Sequence, residues 1–204
     1  MTKENISYSP LIEIANSKIQ FARIRDKDGL ETSNKEQMLE IANRELPSDY
    51  RRLSPSYFDI DTVHSGGIVY DLSTQWKGNT YLALRDSDKS LVGFIVGNLY
   101  EQDNSIKGFG RLVAVEESMK GKGIGQSLVY LMTKGFLYEQ VDEIKGSTSI
   151  FNTPLRSMTE RYPILKKLGG RWMRYSITSE KAEKIVKQYE EKYPHMVNVW
   201  EALK

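Results

Sequence analysis

Leu112-Val113-Ala114-Val115-Glu116-Glu117-Ser118-Met119-Lys120-Gly121-Lys122-Gly123-Ile124-Gly125-Gln126-Ser127-Leu128 is the stretch on which the reading of this chain turns. An apolar run enters a short polar turn that holds three glycines at alternate positions. Behind the turn, Ile124, Leu128, Leu131, Met132 and Phe136 fall on one stripe at i, i+4, i+7, i+8 and i+12, which predicts an amphipathic helix over 123–139. A strand, a glycine-rich turn and a helix in that order have specific physics. Glycine lets backbone N–H groups converge on one concavity and lets a ligand approach without a Cβ in the way. The helix start adds unpaired N–H groups and a partial positive charge. Together these make an anion site, most naturally for phosphate. The residues that would build it are Lys120, Gly121, Lys122, Gly123, Ile124, Gly125, Gln126 and Ser127. Each charge-assisted hydrogen bond to a phosphate contributes about 1.5–3 kcal/mol.

Three familiar phosphate loops do not fit. G-x-x-x-x-G-K-[ST] needs a lysine where Gln126 follows Gly125. G-x-G-x-x-G, counted from Gly121 and Gly123, needs a third glycine at Gln126, and the protein-kinase loop fails for the same reason.

Upstream, Thr80–Arg85 and Leu91–Tyr100 alternate about the polar turn Asp86–Ser90 and predict a hairpin, with Gly108–Val115 as a further strand after a loop over Glu101–Lys107. Leu11–Ala15 predicts a short leading strand and Lys18–Arg25 a firm one, with Asn16-Ser17 as the turn. Ser33-Asn34-Lys35-Glu36 has capping-box spacing ahead of Met38, Ile41, Ala42 and Leu46 at helical spacing, closed by Pro47. Residues 48–79 carry a possible helix near 48–58 and then an irregular aromatic loop. Downstream, Asp142–Ile150 predicts a strand and Asn152–Leu168 a helix interrupted at Pro163 and ended by Gly169-Gly170. Arg171–Ile177 is a strand, residues 182–193 a charged surface helix, and Met196–Ala202 a final strand. Hairpin strands followed by alternation predict a mixed α/β fold with helices on the faces of the sheet.

Basic-x-x-Gly-x-Gly after a strand, here Lys120 to Gly125, resembles the acyl-CoA-binding motif of the GNAT (Gcn5-related N-acetyltransferase) superfamily. The resemblance covers about 18–177 and is most specific over 80–170. It implies a GNAT-type acyl-CoA N-acyltransferase fold, with a central, mostly antiparallel twisted sheet flanked by helices. It implies that the loop amides hold the pyrophosphate of coenzyme A, that the backbone of Val113, Ala114 and Val115 pairs with the pantetheine arm, and that Asn152 hydrogen-bonds the arm. Asparagine is also a preferred helix cap. Lysine replaces the usual Gln or Arg at the first motif position. The tyrosine that protonates the leaving thiolate in this family would lie at Leu165 or Lys166; the nearest here is Tyr162. Tyr162 reads equally as an aromatic anchor beside Pro163. The implied layout is a leading segment 1–17 and one domain over 18–204, with the acceptor side about 30–79, the acyl-CoA core about 80–170 and a closing part 171–204.

The implied reaction is direct transfer of an acetyl group from acetyl-CoA, as cosubstrate, to a primary amine of a small molecule or protein. The alternatives are a non-catalytic coenzyme A-binding regulatory or interaction module, and a loop for another phosphorylated ligand. An amine of pKa near 10.4 is on the order of one part in a thousand neutral at pH 7, so a base is useful. Glu116 and Glu117 end the delivering strand, and Glu116 is the candidate base; the plainer reading of both is a solvated turn. His64 and His195 read as surface or structural histidines.

The 204 residues carry 29 Lys+Arg against 27 Asp+Glu, net +2, with no cysteine and two histidines. That excludes disulfides, thiolate metal sites and a cysteinyl-enzyme intermediate, and leaves no expectation of a metal. Near-balanced charge argues against a nucleic-acid partner. Residues 1–17 lack a signal-type apolar run, and Leu91–Gly97 falls far short of the roughly 20 residues of a membrane span. The expectation is a cytoplasmic protein without a membrane partner, with edge strands able to pair into a homodimer and an amine-bearing acceptor as substrate.

Overall fold

The computed structural model describes residues 6–25, 32–45, 62–65, 68–71, 79–102, 104–149, 165–167 and 172–204. β1 (Ile6–Ile14) and β2 (Ser17–Ile24) form a hairpin about Ala15 and Asn16, both at positive φ (47° and 63°). The turn therefore sits one residue earlier than expected, as a two-residue turn whose twist matches the strands. β1 is also longer than expected: its register shifts between Tyr8 and Leu11, and that irregularity accommodates Pro10, which has no N–H to donate. α1 (Thr32–Glu45) places Ser33 inside its first turn rather than ahead of it. Its Met38, Ile41 and Ala42 are buried, as their spacing predicts.

β3 (Thr62–Ser65) and β4 (Ile68–Asp71) pair as a separate two-stranded ribbon, where an irregular loop was expected. The helix expected near 48–58 lies outside the described residues. β5 (Thr80–Arg85) and β6 (Leu91–Gln102) form the predicted hairpin. β7 (Ser105–Val115) starts earlier than expected. Gln102 pairs with Ser105 and Glu101 with Ile106, so the ladder continues through most of the expected loop, and Asn104 turns at φ 57°. α2 (Ile124–Tyr138) matches its predicted stripe, and β8 (Glu143–Ser149) follows.

β9 (Leu165–Lys167) pairs with β10 (Trp172–Thr178) where the predicted helix had been carried to Leu168. Pro163 removes a helical donor, which frees the chain behind it to pair as an edge strand; residues 151–164 lie outside the described part. α3 (Ser179–Lys192) is the charged helix. α4 (His195–Leu203) replaces the expected final strand. Met196, Val199, Trp200 and Leu203 step by three, one and three, so only a helix buries all four. No helix among the described residues is long and apolar enough to cross a membrane.

Eight of the described strands form one sheet in the order β1-β2-β5-β6-β7-β8-β10-β9. Every neighbouring pair is antiparallel except β7 and β8. One face buries Phe21, Tyr81, Ile95 and Leu99 under α2, α3 and α4. The other buries Leu82, Phe94, Leu112 and Ala114 under α1. On the first face Tyr189 of α3 stacks on Tyr130 of α2 at 4.8 Å between centroids. Arg23, almost fully buried, meets Glu139 at 3.3 Å and stands over the rings of Tyr81 and Trp200 at 5.9 and 5.6 Å. Buried charge is tolerated because it is paired and faces aromatic rings.

Candidate functional site

The end of β7 is pinned to β6 by the Glu116 amide, which donates to the Val92 carbonyl at 2.9 Å. One 3-10 turn, Glu117–Met119, follows and drops Met119 into the core. Lys120 is extended, and the chain then turns through Gly121 at φ 73° and Gly123 at φ 93°. L-residues rarely hold that conformation. A Cβ built on either glycine meets nothing within 4 Å among the described residues, which leave the space above the turn open. Gly125 differs: its Cβ would touch Val115 Cγ2 at an ordinary 3.5 Å. Gly125 therefore seats α2 against β7.

The first bond within α2 runs from the Ser127 amide to the Gly123 carbonyl at 2.9 Å, and Gly123 supplies no side-chain cap. The amides of Ile124, Gly125 and Gln126 thus have no acceptor within the helix. The Ile124 side chain is buried, Gln126 is exposed, and the Ser127 hydroxyl turns back to the Gly123 carbonyl at 3.2 Å and the Tyr189 hydroxyl at 3.1 Å. Of the eight residues expected at the loop, Ile124 offers its backbone only, and Ser127 offers neither amide nor hydroxyl, since Gly123 and Tyr189 take both.

The two lysines separate. Lys120 holds Glu45 of α1 at 2.7 Å and Glu117 at 2.5 Å. Burial alone would lower its pKa, but hydrogen bonds to Glu117 and Glu45 carry it above the usual value. Lys122 is exposed, touches only Met119 Sδ at 3.8 Å, and has no carboxylate within 4 Å among the described residues. Lys122 is the cation left to meet an anion over the turn.

Glu45 was not foreseen as part of this region. Its carboxylate, 5 % exposed, takes Lys120, Arg44 Nε at 2.8 Å and the Glu117 amide at 3.2 Å. Burial pushes its pKa up, but those three donors outweigh it and bring the carboxyl down to about 2. A folded-state value below the unfolded one stabilises the protein fully above about pH 4.5, and that contribution is lost as pH falls toward 2. Glu45→Gln should therefore melt below the parent at pH 7, with the gap shrinking below pH 4.5 and closing near pH 2. Melting curves across that range check it, and a gap independent of pH would contradict it.

Beside the turn the sheet opens. β7 and β8 pair only from Lys107 with Glu143 to Gly110 with Gly146, although β7 runs on to Val115 and β8 to Ser149. The opening starts at a bulge: Val96 faces Leu112 and Gly97 faces Gly110, leaving Arg111 as the extra residue. Backbone groups of successive residues point to opposite edges of a strand. Since the Glu116 amide points at β6, Ala114 and Leu112 also turn to β6, while the N–H and C=O of Val113 and Val115 turn to the open edge. Val113 and Val115 therefore present backbone without a partner among the described residues, as a cofactor arm requires; Ala114 does not.

The Glu116 carboxylate lies on the other side, at 3.3 Å from Arg85 of β5. Tyr162 and Asn152 lie outside the described residues. His195 is exposed. His64 lies on β3, paired with Val69 of β4. Another residue that sequence reasoning missed is Asn98 on β6. It is fully buried, and neither of its amide atoms has a hydrogen-bond partner.

Comparison with known proteins places this geometry. The sequence model of the acetyltransferase (GNAT) family matches residues 36–158, more than half of the chain. No curated protein sequence matches. Among solved structures, a chain of the NatC complex bound to Gag peptide and CoA superposes with TM-score 0.57 at 17% identity, covering 85% of this chain and 98% of that one. PaiA N-acetyltransferase from Thermoplasma acidophilum in complex with coenzyme A gives 0.52 at 15%, covering 78% and 98%. A GNAT-family acetyltransferase from Staphylococcus aureus gives 0.54 at 15%, with the same coverage. The expected mixed α/β fold with a mostly antiparallel sheet is thereby borne out.

Proposed function

Because the chain belongs to the acetyltransferase (GNAT) family, and is by that membership an acyltransferase, we propose that it moves an acetyl group from acetyl-CoA directly to a primary amine of a small molecule or protein. One observation carries this reading. An uncapped, glycine-turned helix start with open space above it stands beside a strand edge whose backbone groups are free. The first suits a diphosphate and the second an amide-bearing arm, and coenzyme A contains both. The coenzyme A present in similar structures supports the same ligand.

Acetyl-CoA supplies an activated thioester. The amides of Ile124, Gly125 and Gln126, with Lys122, hold its diphosphate; Lys120 steadies the turn through Glu45 and Glu117. Val113 and Val115 align the arm along the open edge of β7 and leave an N–H for the carbonyl oxygen as negative charge develops there. The amine nitrogen forms the new bond to the carbonyl carbon, the carbon–sulfur bond breaks, and the thiolate takes up a proton as the amine loses one. Holding both reactants in line supplies most of the acceleration. Tyr162 is the candidate acid and Asn152 lies on the arm, both on the resemblance to the family; Glu116, the candidate base from its place at the end of the delivering strand, would have to release Arg85 to take a proton.

The test is coenzyme A release from acetyl-CoA with a panel of amines, read by a thiol reagent. The chain has no cysteine, so the reagent reads only the product. Turnover with at least one amine class is expected. Acetyl-CoA binding without turnover on any of them would favour the non-catalytic module.

A further inference from the structure

Asn98 is the least explained polar residue of the described core. It follows the apolar run Leu91–Gly97 in β6, is fully buried, and leaves both the Nδ2 and the Oδ1 atoms without a hydrogen-bond partner. Buried amides are nearly always paired, because an unpaired one forfeits its hydration. An isosteric leucine would avoid that penalty, so a stability role does not account for the asparagine.

Its position does. A Cβ on Gly97 or on Gly108 would come within 2.8 Å of the Phe136 ring, so residues 97 and 108 face α2. Side chains alternate along a strand, which puts Asn98 and its partner Phe109 on the opposite face, the face of α1. Phe109 is one residue from Gly110, where β7 and β8 stop pairing. Asn98 therefore lies one strand in from the start of the opening, behind Phe109, on the face opposite α2. On the acetyl-transfer reading, an arm running from the turn along β7 carries its acyl end toward Gly110, next to Phe109.

Resting on the acetyl-transfer reading above, we propose that Asn98 binds the acceptor. Its carboxamide offers two N–H donors and one carbonyl acceptor with no net charge. That set matches a carbonyl or amide unit beside the attacking amine, the unit an α-amino acyl compound or a peptide amino terminus carries. The charges further along the same face agree. Lys107 and Lys145 both bind Glu143, at 3.4 and 3.2 Å, so these three described side chains together carry one positive charge. A polycationic acceptor would be repelled, and a neutral peptide would not.

The experiment compares parent and Asn98→Leu with three acceptor probes: a lysine-free hexapeptide pool with free amino termini, the same pool with blocked termini, and spermidine. Acetyl-CoA-dependent thermal stabilisation is measured alongside. The parent should acetylate the free pool and neither of the others. Asn98→Leu should melt at or above the parent and keep its stabilisation by acetyl-CoA. It should lose about tenfold or more in kcat/KM for the peptide pool, mostly through KM, as expected for lost hydrogen bonds to the acceptor. Unchanged peptide kinetics in the variant, spermidine as the better acceptor, or no acetylation of the free pool by a parent that binds acetyl-CoA would each overturn the proposal. Absence of acetyl-CoA stabilisation in the parent would instead overturn the acetyl-transfer reading on which it rests.

Discussion

Gly123→Glu should lower acetyl-CoA affinity by about a hundredfold or more and remove turnover with it. The backbone at Gly123 has φ 93°, so an L-residue there is strained by about 1–2 kcal/mol. The fold survives this, because the side chain enters open space and a carboxylate at a helix start returns about 0.3–1 kcal/mol. Binding does not survive it. The carboxylate occupies the concavity over the amides of Ile124, Gly125 and Gln126 and repels the diphosphate. Losing two charge-assisted hydrogen bonds removes about 3–6 kcal/mol, and each 1.36 kcal/mol is a factor of ten. Gly123→Ala is the control for strain. It should melt near the glutamate variant yet keep much more affinity. Isothermal titration with acetyl-CoA measures both; equal losses in the two variants would place the effect in the backbone rather than in the anion site.

Gly135→Ala should be the most destabilising single-methyl change in α2. Helix propensity alone favours alanine over glycine by about 1 kcal/mol. Packing outweighs it. The new Cβ would stand 2.3 Å from both Asn79 Oδ1 and the Tyr81 hydroxyl, and 2.9 Å from Asn79 Nδ2. Asn79 and Tyr81 are fully buried, and Asn79 is tied to the Met132 carbonyl at 2.8 Å, so neither can swing into solvent. Overpacking at the upper end of about 1–3 kcal/mol, with about 1 kcal/mol for the disturbed hydrogen bond, leaves a net loss of about 2–3 kcal/mol. For a chain of this size that is a melting-point drop of roughly 4–12 °C. Gly125→Ala, in the same helix with only a 3.5 Å contact to Val115, should melt at or above the parent. Differential scanning calorimetry of the pair separates packing from propensity.

What the sequence revealed, and what it did not, follows the range of the interactions involved. The Lys120–Gly125 turn and the stripe from Ile124 to Phe136 are local patterns, and the structure repeats them almost residue for residue. The tail predicts a strand because Met196, Trp200 and Ala202 fit an alternating face, and Met196 and Trp200 serve the 3-1-3 helical step equally well. Only Trp200 and Leu203 packing against the sheet decides for the helix. The distant partner of Lys120 could not be read at all. Glu45 ends a helix far away in sequence, and its nearness to the turn exists only once α1 lies across β6 and β7. The opening between β7 and β8 is likewise a property of register, set by the bulge at Arg111. For Asn98 a signal did exist: one amide inside LVGFIVGNLY, a run otherwise suited to a central strand.

The most direct test of the account compares acetyl-CoA with S-acetylpantetheine, which carries the same thioester and arm without the diphosphate, as stabilisers of the unmodified protein against heat. Acetyl-CoA at a hundredfold excess over its Kd should add about 2.7 kcal/mol, a rise of roughly 5–10 °C, while S-acetylpantetheine at the same concentration should give little or none. Equal shifts from the two, or none from acetyl-CoA, would contradict the assignment of the Lys120–Gly125 turn to the diphosphate and return its glycines to a purely structural role.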